Sequence, residues 1–131
     1  MSGAEKKHRT ILHFGTDRVV LLWRAHGLNQ MGYRVLSASN GFEAIKLATF
    51  ERVDAVVLDL DRNSAEVALI ATEIKRCRPQ LPTILLTEGA VAVDGARAPA
   101  DALVPKRDDL EMLVTALENV LAVSGEPPKV A

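Results

Sequence analysis

Cysteine is nearly absent from this 131-residue chain, histidine is scarce, and no excess of either charge sign is present. One cysteine, Cys77, excludes an internal disulfide, so a protein of the reducing cytoplasm is expected. The three histidines, His8, His13 and His26, have no partners at metal-ligand spacing, which argues against a zinc site. Sixteen basic against seventeen acidic residues give a net charge of -1, without the basic footprint of a nucleic-acid binder. No apolar run is long enough to span a bilayer, and residues 1–7 lack the apolar stretch of a signal peptide. Repeats and low-complexity tracts are also missing.

What remains is the composition of a globular domain, 48% hydrophobic and 25% charged, with enough chain for one hydrophobic core. Residues 9–123 form the expected domain, and 1–8 and 124–131 read as flexible tails. Short apolar runs at 10–14, 34–38, 55–60, 83–87 and 102–104 read as strands. Three of them are almost continuously apolar, as parallel strands covered on both faces require. Helical patterns lie between. Asp17 caps a helix ending at Gly32, with Trp23 and Met31 expected against the sheet. Asn40-Gly41 opens a second, with Phe42, Ile45 and Ala48 on one side. Ser64 opens a third, carrying Ile70, Ile74 and Cys77 as a buried stripe before Pro79. Asp108 and Glu111 make a capping-box pattern ahead of Leu110, Leu113, Leu117, Val120 and Leu121. Gly89, Gly95 and Pro99 leave room between strands four and five for a short helix only.

Five strand–helix alternations predict an open, mostly parallel α/β sheet, with its chemistry at the carboxyl ends of the strands. Those ends carry Gly15-Thr16-Asp17, Asp59 to Asn63, Thr87-Glu88 and Pro105-Lys106. In that order they resemble the response-regulator receiver family of two-component phosphorelay signalling. The most specific stretches are Gly32-Tyr33-Arg34-Val35-Leu36-Ser37-Ala38-Ser39-Asn40-Gly41-Phe42-Glu43-Ala44 and Val53-Asp54-Ala55-Val56-Val57-Leu58-Asp59-Leu60. The resemblance implies a flavodoxin-like, doubly wound five-stranded parallel sheet of order 2-1-3-4-5, with the fourth helix shortened. It places Asp59 at the phosphoacceptor position, with Thr87 and Lys106 at the switch and phosphate-contact positions. It also implies protein partners, a histidine kinase or another signalling protein.

The family pattern is broken at several points around that site. Gly15 and Thr16 stand where the acidic metal pair belongs, so at most a weak Mg²⁺ site at Asp59 and Asp61 is expected, and no resident cofactor. Glu88 replaces a small residue and would repel an incoming phosphate. Lys-Pro is reversed to Pro105-Lys106, and a one-residue shift tends to turn a side chain to the other face. Ala102 falls at the aromatic switch position, and Asn63 replaces a proline. A strand-end Asp59 without metal is expected to make few obligatory contacts. The expectation is a non-enzymatic, phosphorylation-impaired pseudo-receiver acting by protein contact. A homodimer through the final helix, where Met112, Ala116 and Val123 widen the apolar stripe, is the expected self-association. The alternative is a small haloacid-dehalogenase-type phosphatase using Asp59 and Asp61. Arg62 and Asn63 depart from that motif, and two strand–helix units precede it instead of following it.

Overall fold

The computed structural model describes residues 8–59, 64–87, 100–106 and 110–124. Five strands, β1 (Thr10–Phe14), β2 (Arg34–Ala38), β3 (Ala55–Asp59), β4 (Thr83–Thr87) and β5 (Ala102–Pro105), are all paired in parallel in the order β2-β1-β3-β4-β5. Helices α1 (Arg18–Gln30), α2 (Gly41–Phe50), α3 (Ser64–Cys77) and α4 (Leu110–Ser124) complete the described elements. This is the expected flavodoxin-like doubly wound fold and strand order. The expected short helix between β4 and β5, the capping box at Asp108, and Asp61, Asn63 and Glu88 lie outside the described residues.

β1, β3 and β4 are buried along their whole length, while β2 and β5 at the two edges are only partly covered. The central strands are covered on both faces, so two cores form. On one face, Leu12, Phe14, Val56, Leu58 and Leu85 pack with Ala44 and Ala48 of α2 and Ile70 and Ile74 of α3. On the other, Ile11, Ala55, Val57, Ile84, Leu86 and Val104 pack with Leu28 of α1 and with Leu113, Leu117 and Leu121 of α4.

The helix starts follow from side-chain caps. Asp17 Oδ1 accepts from the backbone N–H groups of Val19 and Val20, and Asn40 Oδ1 accepts from that of Glu43. Past α1 the chain turns at Gly32, whose φ of 99° is open to glycine at little cost.

Several expected core residues face outward. Leu21, Arg24 and Leu28 form the buried stripe of α1, and Trp23, two residues or about 200° of helical rotation from Leu21, is exposed. Met31 at the end of α1 is exposed as well. In α2 the buried positions are Ala44 and Ala48, with Ile45 half-buried and Phe42 exposed. Phe42, two residues or about 200° of helical rotation from Ala44, lies on the opposite side of α2. Cys77, at the last turn of α3, is exposed and not a buried thiol.

Candidate functional site

Side chains alternate along a strand, so every second residue shares a face. His13 therefore lies on the face of Ile11, and Asp59 on that of Ala55 and Val57, the face covered by α1 and α4. Lys106 is two residues beyond Val104 of that same face. Its N–H donates to the Thr87 carbonyl, carrying the β4–β5 ladder one residue past β5. The reversed Pro105-Lys106 order thus leaves the lysine on the Asp59 side. The sequence left open whether Lys106 reaches the site, and in the structure it does.

Asp59 is buried, and each of its carboxylate oxygens faces a cation. Oδ2 accepts from Arg24 Nη1 at 3.2 Å, and Lys106 Nζ lies 2.7 Å from Oδ1. The lysine approach is a charge contact and not an aligned hydrogen bond, since among the described residues Oδ1 has no hydrogen-bond partner by geometry. The side chains of Arg24 and Asp59 are only 8% and 9% exposed, so the pair is screened little by solvent. The expectation that Asp59 makes few obligatory contacts is overturned.

Arg24 also reaches His13, with Nη1 3.1 Å from His13 Nε2. One terminal nitrogen of the guanidinium thereby bridges the strand-end carboxylate and a histidine inside β1. His13 is fully buried within β1 and bonded to this arginine. Its pKa is lowered to about 3, first by burial and then by the neighbouring Arg24 charge. The imidazole is therefore neutral, and Nε2 accepts from the arginine. Nδ1 is buried with no hydrogen-bond partner among the described residues.

Gly15 and Thr16 follow β1, and Thr16 is exposed. A Cβ placed on Gly15 would lie 3.5 Å from Asp59 Oδ2, the oxygen that Arg24 engages. Thr87 is buried at the end of β4, one position beyond Leu86, the register partner of Asp59. A cavity of about 10 Å³ between Arg24, Lys106, Leu86 and Leu110 has room for no more than a single water.

The metal that the resemblance implies is Mg²⁺, a hard cation that needs carboxylate charge and retained water. Around this site the described residues supply one carboxylate, already set between two cations. Among the described residues, no group of three or more His, Cys, Asp or Glu is arranged to hold a metal. The described donors do not fit a divalent ion, and Asp61, the other expected ligand, lies outside the described residues.

Asp59 and Lys106, both singled out in the sequence, are brought together here, whereas Arg24 was not singled out. A signal was present: Arg24 interrupts an otherwise apolar stripe between Leu21 and Leu28. A buried arginine needs a buried anion, and the strand ends offered Asp59.

The family model of the response regulator receiver domain matches residues 16–118. The transcriptional regulatory protein GlrR of Escherichia coli is 29% identical over 101 residues, covering 75% of this chain and 23% of GlrR. The response regulator MprA of Mycolicibacterium vanbaalenii is 32% identical over 114 residues, covering 85% of this chain and 49% of MprA. The chain thus spans about a quarter to a half of the length of these relatives. Among solved structures, TrrA of Thermotoga maritima, in complex with Mg²⁺ and BeF, superposes with a TM-score of 0.75 at 25% identity, covering 86% of this chain and 99% of that one. A receiver domain protein of Methanospirillum hungatei gives a TM-score of 0.81 at 20% identity over 91% and 98% of the two chains, a likeness of fold. The dehalogenase-type phosphatase reading finds no support: Asp59 ends the third strand of a receiver-type sheet, with two strand–helix units before it.

Proposed function

Because the chain belongs to the response regulator receiver domain family of two-component signalling, we propose that it is a phosphorylation-impaired receiver module that works through protein contacts. The observation that carries this reading is the engagement of Asp59 at both oxygens, by Arg24 at 3.2 Å and Lys106 at 2.7 Å. In-line attack on phosphorus needs a carboxylate oxygen that is free to bond and a cation that gathers the phosphoryl oxygens. Here the first is engaged, and the acids that would hold the second are replaced by Gly15 and Thr16.

The partners are proposed to be a histidine kinase or another signalling protein in the cytoplasm. Among the described residues, no helix is long and apolar enough to cross a membrane. A second copy is a further proposed partner: on α4, Met112 is 41% exposed beside half-buried Ala116. The test is incubation with a small-molecule phosphodonor and Mg²⁺, read by intact mass. No phosphoryl adduct is expected. A stoichiometric adduct that disappears in Asp59→Asn would overturn the proposal.

A further inference from the structure

We infer that Arg24 is a built-in cation that takes the place of the divalent ion beside Asp59. The inference uses the reading above only for the place of Asp59 in the fold. The arginine comes from the sheet-facing stripe of α1, a helix capped at its start by Asp17. Its Nη1 meets Asp59 Oδ2 at 3.2 Å and is held from the other side by the neutral acceptor His13 Nε2 at 3.1 Å. The absence of a side chain at Gly15 belongs to the same arrangement. A Cβ there would already stand 3.3 Å from Asp59 Cβ and from Leu21 Cδ2, so a longer acidic residue would enter the space beside the arginine contact.

A guanidinium differs from a hydrated metal ion in what it makes of the pocket. It is permanently charged and cannot dissociate, and its donors fit a carboxylate. Among the described residues, Arg24 and Lys106 set two positive charges beside the one carboxylate of Asp59, where a divalent ion would meet them. The charge state of the pocket is therefore fixed by the chain and does not follow the concentration of Mg²⁺. Loss of the acids at positions 15 and 16 and the presence of a buried arginine at position 24 are two halves of one exchange.

The experiment restores the acids with and without the arginine. Gly15→Asp/Thr16→Asp and Gly15→Asp/Thr16→Asp/Arg24→Met are titrated with Mg²⁺, followed by Trp23 fluorescence and by melting temperature, beside the unaltered protein. The unaltered protein should show no saturable change at low millimolar Mg²⁺. The variant lacking Arg24 should bind at least tenfold more tightly than the one that retains it. Equal affinity in the two variants, or a Mg²⁺-dependent rise in melting temperature of the unaltered protein, overturns the inference. If the acid variants do not fold, the cycle of Arg24→Met, Asp59→Asn and the double substitution decides. The double variant should melt well above the value expected from adding the two single losses, whereas additive losses refute the pairing. None of these readouts depends on phosphate, so phosphorylation of Asp59 could refute the functional reading and leave this inference standing.

Discussion

Stability should depend on pH through His13. In the folded chain its pKa is lowered from 6.5 to about 3, by burial first and by the Arg24 charge second. The unfolded chain binds this proton once the pH falls below about 6.5, whereas the folded chain resists it until about 3. Between those values the unfolded state holds more protons, so stability rises with pH and is lost on acidification. The contribution is fully present above about 6.5, and in the window below it the limiting slope is about 1.4 kcal/mol per pH unit. From pH 6.5 to 5, before most carboxylates titrate, the loss from this group is about 2 kcal/mol. With an unfolding entropy of about 2.1 cal/mol/K per residue, that corresponds to a fall in Tm of about 7 °C for a chain of this length. Denaturant unfolding at a series of pH values measures the slope directly. His13→Gln keeps an acceptor for Arg24 and removes the titration, so its slope in this window should be much flatter. An unchanged slope in His13→Gln, or an imidazole that titrates in the folded protein near pH 6 by NMR, would refute the reasoning.

Asp59→Asn should cost about 3 kcal/mol, the lower end for breaking a buried ion pair, because the amide oxygen can still accept from Arg24; a loss below 1 kcal/mol in urea denaturation would mean that the pair contributes little. Asn40→Ala removes the acceptor for the Glu43 N–H at the start of α2, and a loss of about 1 kcal/mol is expected, against no change if the cap is not used. If α4 self-associates, Met112→Glu with Ala116→Lys should lower the mass seen by light scattering and leave the circular dichroism spectrum unchanged. A monomer before and after the change would exclude that interface.

Strand positions, helix caps and the place of Asp59 were legible because each is a local pattern. β1 and β3 announce themselves as continuous apolar runs, Asp17 and Asn40 are capping residues at the point where helical spacing begins, and Asp59 ends an apolar strand. The family resemblance then supplied the strand order, which no local pattern contains. Errors arose where a residue's fate depends on which side of an element meets the core. Trp23 and Phe42 are large and apolar, but the faces of α1 and α2 that reach the sheet are set by Leu21 and Leu28 and by Ala44 and Ala48. The reach of Lys106 stayed open because the family's dipeptide order is reversed; counting alternation from Val104, its neighbour on the face it shares, points it to Asp59. Arg24 and Asp59 lie 35 positions apart, and no spacing rule joins a helix to a strand over that distance. Packing α1 against β1 and β2 lets the long Arg24 side chain reach the end of β3, and a buried guanidinium is stable only where an anion and an acceptor already face it.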